Sequence, residues 1–156
     1  MPIFLVKEAK KELILSQFLD FMEHTQYTVA VGLLFDKKVY LSQRVNTLNF
    51  AGKWQFAGGK LEENENPIDG GVREVKEETG LEISTNRLHY VVPITGDPTT
   101  YTCYIYVVKL NDAEVPQKME AVTTEWKLFD FDEALRLDLM PGLPITLDIL
   151  RGKNLI

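Results

Sequence analysis

A chain of 156 residues, 45% hydrophobic and 26% charged, is long enough for one domain with a sizeable core and ordinary in composition for a globular protein. Its formal net charge of −6 excludes non-specific binding to a nucleic acid polymer, which needs a basic footprint, but leaves room for a small anionic substrate if a metal ion supplies the positive charge. The single cysteine, Cys103, rules out an intrachain disulfide; with no apolar run near the ~20 residues of a membrane helix and no signal-peptide pattern at the start, the expectation is a cytoplasmic protein that makes no membrane contact.

Residues from about 5 to 24 read as an amphipathic helical extension, because Val6, Ala9, Leu13, Phe18 and Met22 recur every three to five positions with Lys and Glu between them. Packing of this helix on the domain is the expectation, and a homodimer joined through it is the alternative. Residues 27–35 and 38–44 predict two strands joined by a short hairpin turn at "DKK". The stretch from 46 to 67 predicts a loop with an apolar, strand-like centre, with the glycine pair Gly58–Gly59 as a turn. Residues 88–95 and 101–110 are rich in β-branched and aromatic side chains and predict two more strands, with turn chemistry in "TGDPTT" between them. Cys103 falls within the second of these and reads as a small core residue. Residues 124–130 predict a further strand. Asp130 then caps a helix, with Glu133 completing a capping box, and a last helix begins around Pro144 and stops at Gly152. The order is that of an α/β (α+β) fold, a mixed central sheet with helices on its faces, in one domain spanning 1–156.

The most informative helix lies between these strands. Asn66 suits its N-cap, Pro67 its first turn, Asp69 its positive end and Gly80 its left-handed stop. Ile68, Val72, Val75 and Thr79 predict the buried stripe. Glu74, Glu77 and Glu78 stand at i, i+3 and i+4, where like charges destabilise a helix, and Arg73 can reach Asp69 and Glu77, each four residues away. Gly70 and Gly71 cost the helix about 1 kcal/mol each relative to alanine, for which a close backbone approach is a plausible return. The bland reading is a solvated charged face. Against it, the patch holds three acids of one sign, and "FAGGKLEENE" adds further acids just upstream. Three converging carboxylates suit a hard divalent cation such as Mg²⁺, which takes oxygen ligands and is commonly shared with substrate phosphates.

The stretch from Gly59 to Leu81 resembles the defining box of the Nudix hydrolase family. Gly59 is followed after five residues by Glu65, and after seven more by Arg73, Glu74, Val75, Lys76, Glu77, Glu78, Thr79, Gly80 and Leu81. Every defined position of that pattern matches. "VGLLFDKKVYLSQR" and "GKWQFAGGKLE" also resemble the MutT-like nucleotide pyrophosphatases, with Ala57 where such proteins usually carry proline. The resemblance implies a Nudix fold, an α/β/α sandwich. It implies metal binding by Glu74, Glu77 and Glu78, with the backbone carbonyl of Gly58 as a further ligand and Glu120 as an additional carboxylate, Glu125 competing for that place. Arg73 would orient the helix carboxylates and Glu65 would support the metal's water shell. Arg44 and Lys60 would approach substrate phosphate. The implied cofactor is Mg²⁺, with Mn²⁺ as a substitute.

The implied reaction is attack of water on a phosphorus of a nucleoside diphosphate linked to another group, with a glutamate, for which we favour Glu74, taking the proton. The first expectation is a nucleoside triphosphate, often a modified one, cleaved to monophosphate and pyrophosphate. The alternatives are ADP-ribose, a nucleotide sugar or a dinucleotide polyphosphate, and a non-catalytic module that binds a nucleotide or a protein. The loop before the last helix, "LMPGLPIT", lacks the asparagine by which some of the family read a guanine-type base. Trp54, Phe56, Tyr101, Tyr104, Tyr106 and Trp126 include candidates for a stacking ring, though most of them are needed in the core.

Overall fold

The computed structural model describes residues 8–16, 26–45, 49–96 and 101–156. Seven strands form one mixed sheet: β1 (Gln26–Phe35), β2 (Lys38–Gln43), β3 (Trp54–Gln55), β4 (Ala57–Lys60), β5 (His89–Gly96), β6 (Tyr101–Lys109) and β7 (Lys127–Phe129). Among the described residues, beyond a helical run over 8–16, three helices follow in chain order, α1 (Pro67–Thr79), α2 (Phe131–Leu135) and α3 (Leu143–Gly152).

β1 is the centre. One edge pairs in parallel with β6 over its whole length, from Gln26↔Tyr101 to Leu34↔Lys109. The other edge is divided: its first half pairs antiparallel with β4 and its end pairs antiparallel with β2. The β1–β2 hairpin closes through Asp36 and Lys37, both at positive φ (48° and 62°), as a two-residue turn of the type that matches strand twist. Alternation along β1 serves two cores. Val31 and Leu33 join Val75 of α1, Leu88 and Trp126. On the other side Leu34 joins Phe56, Ile105 and the α3 residues Leu143, Leu147 and Leu150. The sheet is therefore sandwiched between α1 and the α2–α3 pair, the layered fold expected from the sequence.

Three expectations need correction. The segment around the glycine pair is β-structure: Gly58 and Gly59 sit in β4, opposite Ala30 and Val29. A Cβ on Gly58 would lie 2.2 Å from the Val29 carbonyl oxygen, so only glycine allows that pairing. The last helix ends at Gly152 as expected, but the left-handed residue that closes it is Asn154 (φ 57°), two positions on. Asn154 N–H donates to Arg151 O and Leu155 N–H to Leu150 O, the two-bond closure in which Asn stands in for glycine. The N-terminal helix is present over 8–16, but it is exposed throughout, with Leu13, Ile14 and Leu15 each more than half accessible. It is not packed on the domain there; the rest of that expectation, and the turn at 97–100, lie outside the described residues. No described helix is long and apolar enough to cross a membrane. Asp130 and Glu133 form the reciprocal capping box expected for α2, and Cys103 is buried in the core.

Candidate active site

α1 starts and stops as its sequence dictates. Asn66 accepts from Ile68 N–H at 3.1 Å, Pro67 occupies the first turn, and Gly80 (φ 77°) donates to Lys76 O. The glycines bring the helix down onto the sheet. A Cβ on Gly71 would meet Val31 Cγ2 at 3.1 Å and one on Gly70 would meet Leu61 Cδ2 at 2.4 Å. This close approach turns the acids inward. Glu74 and Glu78 are buried with Val75 and Thr79, whereas Ile68 and Val72 are only half-buried. The buried stripe thus holds two carboxylates where hydrophobic periodicity alone predicted apolar contact.

Arg73 organises the acids around it. Its Nε donates to Glu65 Oε1 at 2.7 Å and its Nη2 to Glu65 Oε2 at 2.9 Å, a two-pronged pair across the loop before the helix. Nη1 donates to Glu74 Oε1 at 2.9 Å and Glu77 Oε2 at 3.2 Å, and Nη2 also reaches Lys60 O at 3.1 Å. The Glu77 partner was expected from helical spacing; the main partner is Glu65 in place of Asp69. The guanidinium holds the Glu65 carboxyl down from 4.5 to about 2.

Glu78 has a different environment. Burial pushes its carboxyl up to about 9, with Gly58 N–H opposing the shift and the charges of Glu74 and Glu120 adding to it. Burial also raises Glu74, against the pull of Arg73. The structure therefore sets Glu120 within electrostatic reach of both buried acids, while Glu125 is exposed and enters neither effect. Gly58 N–H donates to Glu78 Oε2 at 3.1 Å, and Trp126 Nε1 donates to the Glu78 backbone oxygen at 3.2 Å. Gly59 provides a cradle: a Cβ there would lie 2.5 Å from Glu74 Oε1.

An all-oxygen set of buried carboxylates next to a side-chain-free strand fits a hard divalent cation. Among the described residues no three acidic, His or Cys side chains are already gathered as a metal cluster; Arg73 Nη1 bonds Glu74 and Glu77, and Gly58 N–H bonds Glu78. Replacement of Gly59 by alanine should therefore displace Glu74 and lower turnover by about 10²-fold, the scale of a 1 Å misplacement of a reacting group. Its melting temperature should change less than that of Gly58→Ala, whose clash is with backbone; thermal unfolding and steady-state kinetics of the two variants check this.

Gly58 and Gly59 also line a cleft of about 430 Å³, within the range of small-molecule sites. Arg44 and Lys60 line it as well, as does the loop Met140–Leu143. That loop is strapped to β3, since Trp54 N–H donates to Asp138 O and Met140 N–H to Trp54 O. Arg44 is already engaged: Nη1 donates to Gln55 Oε1 at 3.0 Å and Nε to Asn49 O at 3.3 Å. Of the five aromatic candidates whose side chains are described, Phe56 lines the cleft. Trp126 is buried beneath α1, Trp54 packs edge-on against Phe129, and Tyr106 packs against Tyr90. Tyr104 stacks on Tyr27 in a separate hollow, and the Tyr101 side chain lies outside the described residues. Sequence reasoning missed two cleft residues. Phe50, half exposed and at positive φ (57°), lines it, as does the buried Gln55. The only local signal was the glycine two residues after Phe50, which marks an irregular turn.

The comparisons agree with this geometry. The NUDIX domain family model matches residues 24–148. A Proteus vulgaris protein named 8-oxo-dGTP diphosphatase is 37% identical over 65 residues, 40% of this chain and 58% of the relative. A mouse protein named oxidized purine nucleoside triphosphate hydrolase is 34% identical over 95 residues, 58% of each chain. The match thus spans little more than half the length of these two curated relatives. The crystal structure of a MutT NUDIX hydrolase from Burkholderia pseudomallei superposes with a TM-score of 0.69 at 21% identity, over 80% of this chain and 97% of that one, which establishes the shared fold. With the family model covering most of the chain and every box residue in place, this protein belongs to the Nudix family.

Proposed function

We propose that this protein hydrolyses the phosphoanhydride of a nucleoside diphosphate linked to a further group, foremost a nucleoside triphosphate cleaved to monophosphate and pyrophosphate. One observation carries the reading: the buried acids and the cleft meet at the same two residues, Gly58 and Gly59. Relatives named for cleavage of nucleoside triphosphates support it. We read residues 1–156 as one Nudix domain with a helical N-terminal extension. The exposed Leu13, Ile14 and Leu15 favour a homodimer as their cover, and the lone buried Cys103 suits the cytoplasm.

Glu74, Glu77, Glu78 and Glu120, with the Gly58 carbonyl, would hold Mg²⁺, or Mn²⁺ in its place. Such a cation neutralises phosphate oxygens and acidifies bound water. The chain's own groups do the rest. Lys60 and Arg44 face the phosphates from the cleft lining. Arg73 and Glu65 fix the position of the helix carboxylates. Burial raises the proton affinity of Glu74, which suits a base at neutral pH. The attacking water forms one P–O bond, the bridging P–O bond breaks, and Glu74 takes the water's proton.

The test is product analysis with Mg²⁺ across common and modified nucleoside triphosphates, ADP-ribose, a nucleotide sugar and dinucleotide polyphosphates. Pyrophosphate from one or a few triphosphates is expected. Turnover of ADP-ribose or dinucleotides alone would keep the chemistry and replace the substrate class. No product from any of them would overturn the reading.

A further inference from the structure

The chain between β6 and β7 is tied down at both ends and carries a carboxylate between them. Residues 111–124 form no strand or helix apart from the isolated bridge of Thr123 with Arg44, and so long a segment without regular structure is uncommon in a compact domain unless it serves a function. At its entry Arg87 grips Glu114. Arg87 Nη1 donates to Glu114 Oε1, and Nη2 donates to Glu114 Oε2 at 2.9 Å and to Lys109 O at 2.8 Å. Glu114 Oε2 also accepts from Asn111 N–H at 3.0 Å. Arg87 ends a 3₁₀ turn, Thr85–Arg87, and precedes the buried Leu88, on which α1 packs so closely that a Cβ on Gly71 would meet Leu88 Cδ2 at 3.0 Å. At the exit Val45 N–H donates to Val122 O at 2.7 Å and Thr124 N–H to Gln43 O at 2.9 Å. Between these ends the segment meets the C-terminus of α1. Gln117 N–H donates to Thr79 O at 3.0 Å, and Met119 Sδ lies 3.5 Å from where a Cβ on Gly80 would stand. Glu120 is the next residue, and its charge acts on Glu74 and Glu78.

We propose that Arg87 and Glu114 are a positioning pair for the cation site, fixing the path of residues 115–119 so that Glu120 is held beside Glu74 and Glu78. This rests on the reading of Glu120 as a cation ligand given above. In the cation-free protein Glu120 faces two acids of its own sign, which push it away. The contacts next to it resist weakly, since Met119 is 56% exposed. An anchor whose strength does not depend on the cation is needed further up the chain, and the grip on Glu114 supplies it. Two parallel bonds from one planar guanidinium fix Glu114 in direction as well as distance. The pair has little to give to global stability, because the Arg87 and Glu114 side chains are 35% and 19% accessible and ion pairs open to water contribute little. Its consequence is local, in where the segment lies.

The experiment is a double-mutant cycle between Glu114→Ala and Glu120→Gln. Affinity for Mn²⁺ alone is read from the paramagnetic resonance signal of the free ion, and amide hydrogen exchange is followed in the cation-free proteins. Glu114→Ala should weaken Mn²⁺ binding by roughly 10–100-fold, the scale for losing a group that orients a ligand, with a melting temperature within about 3 °C of wild type. The Gln117 amide should exchange faster, while those of Val75 and Lys76 inside α1 keep their rates. Arg87→Lys keeps the charge but not the two-pronged hold, so its affinity should fall between wild type and Glu114→Ala. In the Glu120→Gln background, Glu114→Ala should weaken binding by no more than about twofold further, because the pair acts through Glu120. Additive losses in the cycle, wild-type affinity in Glu114→Ala, or an unchanged Gln117 amide would each overturn this proposal and leave the hydrolase reading standing. A wild-type protein that binds no Mn²⁺ and cleaves no nucleotide would overturn both.

Discussion

Glu78→Gln should abolish most turnover while leaving the metal-free protein at least as stable as wild type. Glu78 is buried, and its ionised form is opposed by burial and by Glu74 and Glu120. Glutamine is nearly isosteric, keeps an oxygen to accept from Gly58 N–H, and removes a group that must otherwise be charged to bind a cation. Loss of one buried ligand at a phosphoryl-transfer site is expected to cost roughly 10³-fold in kcat. The effect on stability has a definite sign. A carboxyl whose pKa is raised on folding from 4.5 to about 9 holds its proton in the folded state longer than in the unfolded one. Its contribution is complete below pH 4.5 and is lost as pH rises toward 9. Wild type without metal should therefore lose melting temperature across that window, and Glu78→Gln should flatten the loss. Thermal unfolding from pH 5 to 9 with a chelator, paired with kcat in Mg²⁺, checks both halves. Near-normal turnover in Glu78→Gln would remove the proposed cation site.

Arg73→Ala should be the most destabilising single change in the candidate site. Arg73 bonds Glu65, Glu74, Glu77 and the Lys60 carbonyl, and the Glu65 and Glu74 side chains are only 13% and 10% accessible. Removing one partner of a buried ion pair costs about 3–5 kcal/mol, and the 23% accessibility of Arg73 points to the lower end, about 3 kcal/mol. The pH dependence again has a sign. Glu65 is depressed to about 2, so its pairing stabilises the fold above pH 4.5 and the benefit disappears as pH falls toward 2. That acid limb should be missing from Arg73→Ala. Arg73→Lys should recover only part of the loss, since one ammonium cannot span both oxygens of Glu65 and also reach Glu74. Denaturant unfolding of the three proteins at pH 7 and pH 3 would show this. An alanine variant within about 0.5 kcal/mol of wild type, the scale of an ordinary surface change, would show the network to be solvated.

The network also alters how the clustered acids of α1 are understood. Helical spacing alone suggests carboxylates in mutual repulsion until a cation arrives. In the folded chain Arg73 already offsets much of that repulsion, and the uncompensated strain is concentrated on Glu78, where Glu74 and Glu120 meet a buried carboxyl. What a cation would relieve is local to the sheet side of the helix.

The parts of this structure that could be read from the sequence are those governed by neighbours along the chain. Asn66, Pro67 and Gly80 bound α1 as their cap chemistry requires, and the Asp130–Glu133 box opens α2. Richness in β-branched and aromatic side chains located β5 and β6. The parts that escaped depend on partners distant in sequence. Gly58 and Gly59 looked like a turn because glycine is rare inside strands, and the reason for them is the Val29 carbonyl and the Glu74 carboxylate. Asp69 looked like a partner of Arg73 at helical spacing, but the chain before the helix folds back and brings Glu65 instead. Gln55 carried no signal, because its partner Arg44 lies eleven residues earlier, just past the end of β2. Glu120 was preferred to Glu125 only through the resemblance; in the fold Glu120, and not Glu125, acts electrostatically on both buried acids.

The most direct test of the central claim is a calorimetric Mg²⁺ titration at pH 7 in buffers of different ionisation enthalpy, with a non-hydrolysable nucleotide present. A cation held by Glu78 must displace its proton, so binding should release protons, and Glu78→Gln should release fewer and bind more weakly. Mg²⁺ binding of equal strength and proton release in wild type and Glu78→Gln, or no binding at millimolar Mg²⁺, would contradict a catalytic cation at these buried carboxylates.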